Sequence, residues 1–143
     1  MLGDLGLSLT LAAIGSAMGT GVAGMSAIGA WKKAYAENKA APFIIIAFVG
    51  APLTQTIYGM ILRDAIWAVD WAAEIDNPLF QIILGAVAGI AMGFSAFYQG
   101  KAGARAADAL GETGEGFGNY IMVVGIVETV ALFVMVFSMI AMP

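Results

Sequence analysis

The sequence predicts an all-α membrane protein: four transmembrane helices arranged as two tandem hairpins, one over residues 1–72 and one over residues 73–143. Three observations lead to this fold class. Hydrophobic residues make up 61% of the 143, charged residues only 11%, and the mean hydropathy is +0.90. That leaves too little polar surface to clothe a water-soluble globule. Four apolar runs, at residues 5–31, 43–62, 79–98 and 120–139, each meet the requirement of about 20 apolar residues per spanning helix. The runs show no alternating polarity, so helices and not barrel strands are expected. Finally, the first helix of each half carries a related pattern. Aligning Ser16-Ala17 with Ser95-Ala96 brings Gly21 onto Gly100, Ala23 onto Ala102 and Gly24 onto Gly103, the mark of a duplicated hairpin.

Helix one begins close to Met-Leu-Gly-Asp. This start lacks the basic region of a cleaved signal peptide, so the first apolar run is expected to be retained. Polar joints follow at residues 32–41, 63–77 and 101–118. Pro42 and Pro78 stand at the expected starts of helices two and three, where a missing backbone N–H is harmless. Pro52 falls inside helix two and should free nearby backbone carbonyls. The second helices of the halves align less clearly, with Thr54-Gln55-Thr56 near Val127-Glu128-Thr129.

Charge sets the expected topology. Lys32, Lys33, Lys39, Lys101 and Arg105 lie in or beside the first and third joints, whereas Asp70, Glu74 and Asp76 dominate the second. By the positive-inside rule the two hairpin loops are cytoplasmic, and the middle joint and both termini are external. A multi-pass protein of the plasma membrane is expected. Trp31, Trp67 and Trp71 suit interfacial aromatic belts, and Arg63 with Asp64 suits an interfacial pair.

Glycine is concentrated in helices one and three, including the Gly85, Gly89, Gly93 series at i, i+4 spacing. Small residues let helix backbones approach closely. Two such helices alternating with two bulky ones suggest a crowded inner layer, helices one and three, surrounded by helices two and four. A closed ring of repeated hairpins has that geometry.

The chemistry centres on Glu128, a single carboxylate in an otherwise uncharged run, because ionisable groups at bilayer depth usually mark ion or proton pathways. Ala51, Thr54, Gln55 and Tyr58 share one face of helix two at a similar depth. Gln99 is the matching candidate on helix three, although its nearness to Lys101 sets it toward the cytoplasmic end unless that lysine snorkels. Taken singly, Thr54 would serve as a back-bonded helix residue, Tyr58 as a packing aromatic, and Gln55 or Gln99 as interhelical glue. Glu128 has no such bland role.

Histidine and cysteine are both absent. Disulfides, thiolate metal sites and the usual catalytic triads are thereby excluded. No basic patch suggests nucleic acid, and no GxxxxGK[ST] loop suggests nucleotide chemistry. The donors that remain are hard oxygens: one carboxylate, two amides, a threonine hydroxyl and a backbone carbonyl. Such a set suits a monovalent cation such as Na+. A proton carrier would need the carboxylate alone. Spacing does not separate sodium from lithium.

Four segments carry a family resemblance in order and spacing. They are Gly-Ser-Ala-x-Gly-x-Gly-x-x-Gly at 15–24, Pro-x-Thr-Gln-x-x-Tyr-Gly at 52–59, Gln-Gly-Lys at 99–101 and Val-Glu-Thr at 127–129. Together they resemble the duplicated proteolipid, the K or c rotor-ring subunit, of V/A-type rotary ATPases. The resemblance implies a homo-oligomeric ring that translocates Na+ and has no catalytic role itself, ATP chemistry residing on other subunits. It implies an ion site of Glu128, Thr54, Gln55, Gln99 and the Ala51 carbonyl, with Tyr58 as hydrogen-bond support. It further implies a static membrane subunit that supplies an arginine, and a cytoplasmic central stalk against the hairpin loops. Sodium-translocating members have Leu-Pro-Gly-Thr-Gln where this chain has Ala-Pro-Leu-Thr-Gln, and Leu53 in place of glycine alters the local helix. Proton-translocating members commonly lack the threonine-glutamine pair. The alternatives are a proton-translocating ring and a small four-helix proton-coupled antiporter. Antiporters of the small multidrug type carry their glutamate in helix one, where this chain has only Asp4.

Overall fold

The computed structural model describes residues 3–71 and 77–143. Its described residues contain helices and turns and no strand. Four helices are long and apolar enough to cross a membrane: α1 (Leu7–Ala36), α2 (Phe43–Ala68), α3 (Leu79–Thr113) and α4 (Phe117–Ile140). Glu74, Asp76 and the boundary between the hairpins at residues 72 and 73 lie outside the described residues.

Helix starts follow the local chemistry. Pro42 and Pro78 each occupy the position before the first helical residue, where proline's fixed φ fits and its missing N–H leaves nothing unpaired. Pro52 has the effect its chemistry predicts. Within α2 the α-helical pattern gives way to a 3-10 turn at Ala51–Leu53 and resumes at Thr54, because residue 52 has no N–H with which to continue the ladder.

The ends differ more from the sequence reading. Helix α1 continues past Trp31 to Ala36, α2 carries Arg63 and Asp64 as helical residues, and α3 continues past Tyr98 to Thr113. Lys101 and Arg105 therefore ride on a helix and not in a loop. Residues 101–113 read as polar, yet alanine and leucine dominate one side of this stretch and keep it helical. The third joint shrinks to residues 114–116. Gly114 and Gly116 adopt φ of +71° and +89°, a left-handed conformation that glycine enters without steric cost and that stops one helix and starts the next. Trp71 also departs from expectation. It folds inward, fully buried, and its Nε1 donates to the Ile66 carbonyl at 2.7 Å.

Packing is most extensive between α1 and α3. The two run parallel and meet along glycine. A methyl placed on Gly15 would sit 2.0 Å from the Gly93 carbonyl oxygen, and one on Gly100 would sit 2.1 Å from that of Gly19. Side chains are excluded at these crossings, so the backbones themselves are in contact. Helices α2 and α4 pack beside this pair.

Two apolar clusters result. One gathers Ala12, Leu62, Ile66, Trp71, Met92, Ala131 and Met135, and the other Ala27, Ile45, Phe48, Ala107, Leu110 and Val124. Between them on α2, α3 and α4 lies a polar layer. Most large side chains outside the clusters, such as Ile14, Phe94, Ile126 and Phe133, face outward, as a lipid-exposed surface requires.

Candidate functional site

Glu128 stands near the middle of α4 and is half-buried. Both of its carboxylate oxygens accept hydrogen bonds from other helices. Tyr58 on α2 donates its hydroxyl to Oε1 at 2.7 Å, and Gln99 on α3 donates Nε2 to Oε2 at 3.1 Å. A charged acceptor strengthens each bond well beyond a neutral pair. The same Gln99 Nε2 donates its second hydrogen to the Val124 carbonyl at 3.1 Å. Gln99 is thus held in one orientation by α4.

The network continues inward. Gln55 Nε2 donates to Gln99 Oε1 at 2.8 Å, and both glutamines are 0% exposed. Thr54 Oγ1 lies 3.2 Å from Gln55 Oε1 and 3.0 Å from the Ala51 carbonyl, so one hydroxyl hydrogen is shared between two acceptors. The Ala51 carbonyl belongs to the 3-10 turn around Pro52. Every residue named from the sequence, Ala51, Thr54, Gln55, Tyr58, Gln99 and Glu128, enters this one connected layer.

The layer arises from helix geometry. Ala51, Thr54, Gln55 and Tyr58 lie at i, i+3, i+4 and i+7, which places them on one stripe of α2. Gln99 reaches the layer because α3 does not end near Tyr98 but extends to Thr113. Lys101 points away, its Nζ lying 5.4 Å from the centroids of Phe97 and Tyr98. Its charge rests on those ring faces and not in the polar layer.

Some contacts carry no sequence signal strong enough to single them out. Ser95 Oγ donates to the Val127 carbonyl at 2.9 Å. With Gln99 one turn on, it fastens α3 to the turn of α4 that bears Glu128. Only the spacing of Ser95 from Gln99, one helical turn, hints at this. Asp4 is a second, fully buried carboxylate. It accepts from the Gly6 and Ser8 amides at 2.9 Å each and from the Ser8 hydroxyl, which identifies it as a cap for the start of α1.

The donors and acceptors define what the layer can do. All of its side-chain ligand atoms are oxygens apart from the two amide nitrogens, and it contains one formal charge. Among the described residues no group of three Asp, Glu, His or Cys side chains gathers into a metal cluster. A single carboxylate with neutral oxygens balances a monovalent cation.

Residues 82–141 match the family model of the ATP synthase C subunit. The matched stretch covers Gln99 and Glu128 and most of α3 and α4. A comparison with curated proteins gave no match.

Proposed function

We propose that this chain is a membrane rotor-ring subunit of a rotary ATPase, of the duplicated V/A type, and that it carries Na+ on Glu128. The observation that supports this best is the convergence of Tyr58 and Gln99 on one carboxylate within apolar helices, with Gln55 bonded to Gln99 behind it. The match of the second half to the ATP synthase C subunit supports the rotary setting. That match does not reach α1 or α2, so the sodium assignment leans on chemistry: Thr54, Gln55 and the Ala51 carbonyl add oxygens that a proton carrier would not need.

In this reading the ion is a passing substrate. It binds among the Glu128 carboxylate, the Gln55 and Gln99 amide oxygens, the Thr54 hydroxyl and the Ala51 carbonyl. Neutralised, the site turns through lipid within the ring. At a static partner subunit, an arginine displaces the ion by pairing with Glu128. Moving one charge through 100 mV is worth about 2.3 kcal/mol, so several subunits per turn are required to match the hydrolysis or synthesis of ATP. Nucleotide chemistry belongs to other subunits, reached through a central stalk at the hairpin loops.

Carbodiimide modification of Glu128, followed by intact mass, tests the ion. Protection by millimolar sodium at neutral pH, absent with potassium, is the expected result. Protection only by acidification would assign a proton-carrying ring instead.

A further inference from the structure

At the level of the site, the structure leaves a buried hydroxyl without a partner among the described residues. Ser16 on α1 is 2% exposed, and its Oγ has no hydrogen-bond partner among the described residues. Buried polar groups are nearly always paired, so an orphan of this kind calls for a cause. Its level in the bundle is fixed by its neighbours. A methyl on Gly59 would lie 2.9 Å from the Ala12 methyl, and one on Gly19 would lie 3.0 Å from Pro52 Cβ. Ser16 comes four residues after Ala12 and three before Gly19. Gln55 comes four residues before Gly59 and three after Pro52. With α1 and α2 antiparallel, Ser16 therefore stands at the level of Gln55, which is itself fully buried.

The repeat points the same way. Ser16 and Thr20, whose hydroxyl is also buried and unpartnered among the described residues, lie 79 positions before Ser95 and Gln99. In the second half those two residues bond α4 at Val127, Val124 and Glu128. In the first half the corresponding pair stands beside the helix that carries Gln55 and makes no such bond.

We infer that Ser16 is a positioning residue, the acceptor that takes the Gln55 amide when a cation enters the site. The inference rests on the sodium reading above and follows from hydrogen-bond inventory. Gln99 now presents an N–H to Glu128 and receives the Gln55 N–H on its Oε1. A cation beside the carboxylate requires oxygens around it, so Gln99 must turn its Oε1 toward the ion and its N–H away. Gln55 Nε2, on a fully buried side chain, then loses its acceptor. Ser16 Oγ is buried, at the right level and free to accept. The ion-bound arrangement is completed by a residue that never touches the ion.

The test compares wild type with Ser16→Ala in the assembled protein, by sodium protection of Glu128 against carbodiimide and by sodium-induced infrared difference spectra of glutamine-labelled protein. Ser16→Ala is expected to raise the sodium concentration for half-protection by on the order of tenfold. The labelling rate without sodium should stay the same, and the glutamine NH2 band that sodium shifts in wild type should fail to shift. Half-protection equal to that of wild type, or a glutamine NH2 band that still shifts with sodium in Ser16→Ala, overturns the role of Ser16. A faster or slower sodium-free rate also overturns it, since that would make Ser16 a packing residue. Failure of wild type itself to respond to sodium would instead overturn the ion assignment, which separates the two claims.

Discussion

At the residue scale, the Glu128 carboxylate is held by two donors from two other helices. Hydrogen bonds to a charged group contribute about 1.5–3 kcal/mol each. Gln99→Leu removes the bond to Glu128, the bond to the Val124 carbonyl and the acceptor for Gln55. It should weaken sodium protection by roughly 100-fold. Tyr58→Phe removes one bond and no oxygen from the ion's shell, so a loss of roughly tenfold or less is expected in the same assay. The residues of the layer are legible in the sequence because a lone acid in an apolar run, and amides at matching depth, stand out chemically. Ser95 and Ser16 are not. A serine in a helix reads as small and polar whatever it faces, and only the packing of the helices shows that the Ser95 hydroxyl meets the Val127 carbonyl while that of Ser16 has no partner among the described residues.

Elements are legible where their boundaries carry chemistry. Pro42, Pro52 and Pro78 mark two starts and one break, since proline acts through its own backbone. The end of α3 is hidden because Lys101, Arg105 and Asp108 read as a joint, while the small residues between them keep one side of the helix buried, as Gly103, Ala106 and Ala107 are. The stop is set by Gly114. Its φ of +71° makes Gly114→Ala costly by about 1 kcal/mol, measurable as a lowered midpoint of thermal unfolding in detergent. A sharper test falls at the α1–α3 crossing. Gly15→Ala would drive a methyl to 2.0 Å from the Gly93 carbonyl oxygen and should destabilise by about 1–3 kcal/mol or more. Gly21→Ala meets nothing within 4 Å and should raise the midpoint through the about 0.5–1 kcal/mol that alanine gains over glycine in a helix interior, which separates close approach from helix propensity.

For the molecule as a whole, the polar layer is sandwiched between two apolar clusters, and the outer faces of all four helices carry exposed apolar residues. Small residues at the centre let α1 and α3 close together while α2 brings its polar stripe, and α4 its Glu128, to the α3 side. The four-helix fold is readable from run lengths. The way three helices share a single carboxylate is not, because it depends on the interhelical register that glycine contacts fix. A ring of many copies is expected by native mass measurement, whereas a dimer would favour a carrier. The most direct measurement is equilibrium binding of radiolabelled sodium to the purified protein. About one saturable ion per chain should bind to wild type and none to Glu128→Gln; saturable binding that survives in Glu128→Gln, or none in wild type, would remove Glu128 as the sodium ligand.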